Sequence, residues 1–469
     1  IDNTIHDVNS NNTQTTTGSV ILDTAAVFLQ SIRRLIRGGK SRYYTTTEDD
    51  IYLFLHPDAT ECRPVLERLG YQVIVKGIPF DVQKIKSKAL RRKIDSDGCC
   101  GRDEFIKLWP YTLTLYDFVV HTDLDVLFLQ SLDHVIRLMS LEDEERDDDD
   151  GNDPSKGTQN IPEVAVSAAG KTRSRILGRP YIGNGNTTTT KIAPAYSSSE
   201  VHEQQLLSLV HLKDDHQSGT TTKIPSRVDF AYTRDYLQRS RWHTDPKKYG
   251  VQGGFFLVRP NQAIFERMIE TITHSDYSHG SHGWGQKGYG GYWGQSQIQG
   301  FLSYFYGEIQ PDHASLELNR CRVNAMINDK PYLGGGGGGD DGDDTTASSS
   351  TSKNATTPQQ QQICRTGQIT CEDCRATPLD EIINVHLTTC WKPWTCPKLR
   401  SNAPPQCKEI HQMWFQLRQE LETSWGYDLP PKAGFRPSEY LGYCTDKGPE
   451  HYKKMKIPPP NLATTMNRN

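Results

Sequence analysis

Residues 116–129 read Tyr116-Asp117-Phe118-Val119-Val120-His121-Thr122-Asp123-Leu124-Asp125-Val126-Leu127-Phe128-Leu129, an apolar run broken once by two carboxylates two residues apart. In an extended chain, side chains at i and i+2 share a face, so Asp123 and Asp125 are expected to address one small volume. Adjacent unpaired anions in a buried strand would suffer both desolvation and mutual repulsion. A divalent cation removes both objections, and two hard oxygen donors suit Mn²⁺ or Mg²⁺.

Working outward, the chain alternates strand and helix patterns. Ala25, Val27, Phe28, Ile32, Leu35 and Ile36 recur at helical spacing. Ile51–Leu55 reads as a buried strand, Cys62–Leu69 as a helix, Tyr71–Val75 as a second strand and Phe105–Leu115 as a helix entering the carboxylate strand. That alternation predicts an α/β fold, a mostly parallel mixed sheet flanked by helices. Downstream, Val251–Arg259 leads into a helix over Gln262–Thr273; Ile298–Tyr306 and Ile382–His386 follow. Ile410, Trp414, Leu417 and Leu421 mark one face of an amphipathic helix.

Low-complexity stretches divide the chain. Residues 1–19 are polar and read as a disordered tail, and residues 446–469 as another. Residues 20–140 are expected to form one half of the α/β domain and 227–332 the other. Between them, residues 141–226 read as an insertion around a single strand at 163–167; it opens with eight acids and one Arg over Glu142–Asp150. Residues 333–362, with Gly334–Gly339 and Gln359–Gln362, read as a disordered linker, and residues 363–445 as a Cys-rich part.

Composition excludes several classes. The 469 residues are 35% hydrophobic with a formal charge of −4, and no basic stripe argues for nucleic acid. No run of about 18 apolar residues is present, so membrane attachment is expected only through an N-terminal anchor outside this sequence. Of 11 cysteines, seven follow residue 360, which favours disulfides in a secretory lumen. A zinc site using Cys371, Cys374, Cys390 and Cys396 is the alternative. Asn11, Asn186 and Asn354 each open an Asn-x-Thr sequon.

Three separated segments together resemble glycosyltransferase family 8, the glycogenin-like nucleotide-diphospho-sugar transferases. They are Phe105-Ile106-Lys107-Leu108 with the stretch through Asp123-Leu124-Asp125; Val251-Gln252-Gly253-Gly254 running to Arg259-Pro260; and His386-Leu387-Thr388-Thr389-Cys390-Trp391-Lys392-Pro393-Trp394. The resemblance spans roughly residues 20–400 and implies a GT-A fold, a nucleotide-sugar donor and a divalent metal; the expected donor is a UDP-sugar and the acceptor a glycan or glycoprotein, and the clustered cysteines set the expected residence in the secretory pathway, in the Golgi lumen. It further implies that Asp123, Asp125 and His386 hold Mn²⁺ (or Mg²⁺), and that Lys392 stabilises charge growing on the leaving diphosphate. Gly253 and Gly254 would let donor approach the backbone, or would serve tight packing instead. Gln252 would offer an amide to sugar hydroxyls.

Two departures accompany it. The family's Asp-Gln pair falls on Gly294-Gln295-Ser296-Gln297-Ile298-Gln299-Gly300, which has no carboxylate and leaves Gln297 as the catalytic candidate. No strand is legible upstream of Ala25; only Asp23 and Thr24 stand where the nucleobase-holding loop is expected. A catalytically inactive protein of the same fold, binding sugar or assembling partners, is the alternative function. Trp391 and Trp394 are expected to pack beneath their loop. The glycine-aromatic stretch Gly280–Trp293 reads equally as a mobile lid or as a loop anchored by its aromatics.

Overall fold

The structure is a computed structural model that describes residues 14–37, 51–98, 100–140, 206, 208–210, 227–236, 245–310, 315–328, 372–397, 403–428, 440–444 and 452–457. The strand expected at 163–167, the linker, the three sequons, Cys364 and Cys371 lie outside the described residues.

Helices and mixed sheets alternate along the chain, as an α/β fold requires. Helix α1 (Gln14–Arg37) precedes β1 (Tyr52–Leu55), α2 (Arg63–Leu69), β2 (Gln72–Val75) and α3 (Lys88–Lys93). A 3₁₀ segment, Gly101–Thr112, then feeds β3 (Val119–Thr122), β4 (Val126–Phe128) and α4 (Asp133–Ser140). After these come β5 (Phe230–Arg234), β6 (Val251–Val258), α5 (Gln262–His274), the short pair β7 (Tyr277–Ser278) and β8 (Gly283–Trp284), and α6 (Ile298–Tyr304). Strands β9 (Ser315–Glu317) and β10 (Asn384–His386) and helix α7 (Pro405–Ser424) complete the order.

Strand β6 organises the molecule. All eight of its residues are buried, as expected of a largely apolar strand covered on both faces, with Gln252 its one polar side chain. Its side chains alternate between two cores. Phe255 and Leu257 join the one built by α1, α4 and α7, while Phe256 and Val258 join the one built by α5, α6 and the 3₁₀ segment. The four-stranded sheet runs β3-β6-β5-β9. The expectation of a mostly parallel sheet is corrected: among the described strands, β1–β2 and β5–β9 pair parallel, whereas β3–β6, β5–β6, β4–β10 and β7–β8 pair antiparallel. Parallel pairing follows where a helix supplies the crossover, as α2 does between β1 and β2.

Helix α5 shows how sequence sets these elements. Pro260 ends β6, the Asn261 side chain accepts from the amides of Ala263 (2.9 Å) and Ile264 (3.2 Å), and Phe265, Met268 and Ile272 fall on one buried face.

Both expected tails are shorter than read. Helix α1 already begins at Gln14. Tyr452 and Met455 are buried against it, with Asp23 Oδ2 accepting from Tyr452 Oη (2.9 Å) and Met455 N (3.0 Å). The polar composition of residues 446–469 hid a local clasp made by one carboxylate. Asp23 therefore serves packing, and Thr24 donates to Val20 O (2.8 Å) within its own helix.

Burial pushes the Asp23 carboxyl up from 3.8 to about 6, outweighing the pull of Arg418. An acid whose folded value exceeds its unfolded value stabilises the fold fully below 3.8 and loses that contribution as pH rises through 6. Asp23→Asn should thus gain roughly 2 kcal/mol on the native protein between pH 4 and pH 7. Paired urea titrations at the two pH values check this; an equal stability difference at both contradicts it.

Candidate metal and donor site

Asp123 and Asp125 do not lie along one strand face. Residues 123–125 form the turn between β3 and β4, with Val126 N donating to Asp123 O at 3.3 Å. Convergence comes from sheet register instead. Asp123 N donates to Gly254 O (2.8 Å) at the end of the β3–β6 ladder, and Leu387 N donates to Asp125 O (2.9 Å) where β10 runs antiparallel to β4 with His386 opposite Val126.

One ligand atom from each of Asp123, Asp125 and His386 lies within 4.8 Å of the others. His386 Nε2 stands 3.4 Å from Asp125 Oδ1, yet that buried oxygen has no hydrogen bond, and neither does His386 Nδ1. Neighbouring ligands of an octahedral ion with bonds of 2.0–2.1 Å sit about 3 Å apart, so this spacing and this unsatisfied oxygen suit a shared cation better than a hydrogen bond. Carboxylate, carboxylate and imidazole form a reasonable donor set for Mn²⁺.

Two lysines neutralise the pair. Lys392 Nζ is 2.7 Å from Asp125 Oδ2, and Lys107 Nζ is 2.9 Å from Asp123 Oδ2 and 2.7 Å from Glu104 Oε2. His121 Nε2 lies 3.7 Å from Asp123 Oδ1, its ring stacked on Phe256. Burial alone would raise Asp125, but His386 and then Lys392 hold its carboxyl well below the carboxylate range. Burial likewise opposes ionisation of Asp123, where Lys107, with His121 close by, wins and keeps it low. Desolvation pulls Lys107 down, and Asp123 with Glu104 more than restores it, well above an ordinary lysine. Burial lowers His121, favouring its neutral form. Three carboxylates, Asp123, Asp125 and Glu104, thus share two ammonium groups, Lys107 and Lys392.

Lys107, Glu104 and His121 were not among the residues singled out from sequence. Lys107 stood inside a quoted segment, and its position within the apolar run Phe105-Ile106-Lys107-Leu108 was the available signal: a buried lysine needs a carboxylate.

The glycine pair makes room for protein atoms. A Cβ on Gly254 would fall 2.3 Å from His386 Cε1 and 2.7 Å from Nδ1, and one on Gly253 would meet Ile298 Cγ2 and Gln299 Cγ at 3.3 Å. Gln252 is 4% exposed; its Oε1 accepts from Gly254 N and from Asn324 Nδ2 (3.3 Å), so its amide oxygen is taken up within the protein, beside the strand residue that faces His386. Gln297 is buried as well, its Nε2 donating to Asp97 O, and it is tied to the 97–98 turn and away from the carboxylates. Of the amides in residues 294–300, Gln299 is the partly exposed one beside Gly253 and Lys107.

A pocket of about 470 Å³ opens beside this cluster. Asp123, His121, Lys107 and Glu104 line one end, and side chains of β1, β3 and α1, including Leu53, Val120 and Phe28, line the rest. Tyr52 and Tyr116, joined through their hydroxyls at 2.8 Å, stand on its wall.

The C-terminal cysteines are paired: Cys321–Cys374, Cys390–Cys407 and Cys396–Cys444. Thus Cys374, Cys390 and Cys396 each belong to a different disulfide, and the zinc alternative is set aside. In the loop Gly280–Trp293, Trp284 is fully buried, bonds Gln295 O through Nε1 (2.7 Å) and packs edge-on to Phe301, while Tyr289 and Tyr292 are also buried. Trp284, Tyr289 and Tyr292 anchor the loop, whereas Trp293 at its end is exposed.

No family model matches the chain, and a search of curated proteins finds no match. No helix among the described residues is long and apolar enough to cross a membrane.

Gly254→Ala should push His386 out of register with Asp125 and weaken Mn²⁺ binding about 10–100-fold, the range for a displaced ligand support. Calorimetric titration of Mn²⁺ into both proteins reads this, and an unchanged affinity contradicts it.

Proposed function

We propose that this chain is a metal-dependent glycosyltransferase of the GT-A type that transfers a hexosyl unit from a UDP-sugar to a hydroxyl of a glycan or protein. The observation that carries the reading is the meeting of Asp123, Asp125, His386 and Lys392, which are spread over 270 positions of sequence, around one buried point with a donor set that suits a divalent ion.

Asp123, Asp125 and His386 would hold Mn²⁺ or Mg²⁺, which supplies positive charge to the leaving diphosphate. The chain's own residues do the rest. Lys392 has a side chain 20% exposed while its partner Asp125 is 3% exposed, so the ammonium can reach outward from the carboxylate it pairs with. It is thereby positioned to take up negative charge as the sugar-diphosphate bond opens. Lys107 and Glu104 fix Asp123 in place, and Gly254 leaves the space that His386 fills. The pocket beside Asp123 would take the nucleoside, and Gln299 supplies the amide closest to the site for sugar hydroxyls. Retention of configuration rests on the resemblance alone. Three disulfides fit an oxidising lumen, and we assign the protein to the secretory pathway, in the Golgi lumen.

A second reading has its own support. Both carboxylates already have an ammonium partner, and no carboxylate lies in residues 294–300, so a catalytically inactive protein of the same fold, acting in sugar binding or assembly, is the rival.

Calorimetry and a coupled UDP-release assay separate them. For the enzyme, UDP binds more tightly with Mn²⁺ than without, and UDP-hexose is hydrolysed slowly. Asp125→Asn should abolish the metal effect, while Lys392→Ala should cut turnover about 10²–10³-fold with a smaller loss of UDP affinity. UDP binding that ignores both Mn²⁺ and Asp125→Asn would refute the reading.

A further inference from the structure

Trp391 precedes Lys392 directly and is not beneath the loop, where it was expected. It is 47% exposed and adopts φ +61°, a left-handed backbone that a bulky residue rarely accepts. Among the described residues no aromatic ring and no cation pairs with its indole. Trp394, three residues on, behaves as anticipated: it is part-buried, its ring 5.6 Å from that of Trp414, with Lys392 Nζ 5.8 Å from its centroid on the inner side. The two tryptophans thus stand on either side of Lys392 in sequence, Trp394 part-buried against Trp414 and Trp391 exposed.

The outward conformation is held in place from both sides. His411, buried on α7, is lowered by burial and stays neutral; its Nε2–H is shared between the carbonyls of Cys390 (2.8 Å) and Trp391 (3.1 Å). A carbonyl only accepts, so Nε2 carries the proton. The Cys390–Cys407 disulfide ties the same point to α7, and Asn328 N bonds Thr389 Oγ1 (3.1 Å) from the other side. A disfavoured backbone, braced by a buried histidine, a disulfide and an asparagine, keeps a large apolar surface in water beside the reactive lysine. Packing does not account for that arrangement, whereas a flat ligand face does.

We propose that Trp391 is the acceptor platform: its indole receives the apolar C–H face of an acceptor pyranose, and the accepting hydroxyl is presented toward the Lys392–Asp125 end of the site. The proposal rests on the glycosyltransferase reading and deepens it. It assigns the acceptor to the carbohydrate class, in preference to a serine, threonine or tyrosine hydroxyl of a protein.

The full chain is tested with two sets of probes. Methyl and p-nitrophenyl glycosides of glucose, galactose, mannose and xylose are screened by saturation-transfer NMR, and UDP with Mn²⁺ is titrated calorimetrically, for the native protein, Trp391→Ala and Trp391→Tyr. The expected result is binding of at least one glycoside, weakened about tenfold or more in Trp391→Ala and largely restored in Trp391→Tyr, with the UDP Kd moved far less than the glycoside Kd. Where transfer is measurable, the loss falls on acceptor KM rather than kcat. Loss of UDP affinity in step with glycoside affinity would show a merely structural role and overturn the proposal. So would glycoside binding indifferent to Trp391→Ala, no glycoside binding by the native protein, or transfer to a serine- or tyrosine-containing peptide alone. If the native protein ignores UDP while glycoside binding still depends on Trp391, the transferase reading falls and the platform stands.

Discussion

Asp125 is 2% exposed and must stay ionised in a setting where burial opposes its charge. Much of the site follows from how that charge is met. The β4–β10 ladder sets His386 opposite Val126, the residue next to Asp125, and the loop after β10 returns Lys392 to the second carboxylate oxygen at 2.7 Å. Removing a single partner would leave a desolvated carboxylate with too little compensation, a larger loss than a surface ion pair ever represents. The C-terminal segment is therefore bound to the rest of the chain by electrostatics as well as by the Cys321–Cys374 disulfide, and Gly254 is required because a side chain there would occupy the space of the imidazole.

The same arrangement connects stability to chemistry. Pairing with Lys107 and Lys392 keeps two neighbouring carboxylates ionised before any ligand arrives, so both are preorganised as oxygen donors. The ammonium on Asp123 is deeply held by Glu104 as well, whereas the one on Asp125 has solvent access. That asymmetry divides the lysines into one enclosed between two carboxylates and one whose side chain reaches solvent. The braced loop carrying Trp391 extends the division outward, with packing on the Trp394 side and exposure on the other.

Much of the secondary structure was legible in sequence, because period-2 and period-3.6 patterns report burial locally: Tyr52–Leu55, Val251–Val258 and Gln262–His274 lie close to where apolar spacing put them. Sheet direction was less so. Strand β6 reads as a doubly buried run whether its neighbours are parallel or antiparallel, and both of its neighbours are antiparallel. The site residues Asp123, Asp125, His386 and Lys392 do meet, though the reason given for the first two was wrong: a turn and two ladders converge them, not a shared strand face. Gln297 and Gln252 illustrate what spacing cannot reveal. Both carry amides that could serve a ligand, yet Gln297 is spent on the distant Asp97 carbonyl and Gln252 on the amide of Gly254 and the side chain of Asn324. Lys107 was missed for a related reason: one partner, Glu104, is three residues away, but the carboxylate that ties it to the site, Asp123, is brought to it only by the fold. The clasp at Asp23 and Tyr452 joins positions 429 residues apart and leaves no local trace.

The most direct test of the account is pulsed electron paramagnetic resonance of Mn²⁺ bound to the protein with ¹⁵N-labelled histidine. Coupling to the nitrogen of a single imidazole, absent in His386→Ala, is the result that the geometry of Asp123, Asp125 and His386 requires. A bound Mn²⁺ without nitrogen coupling, or a spectrum of the fully hydrated ion alone, would contradict it.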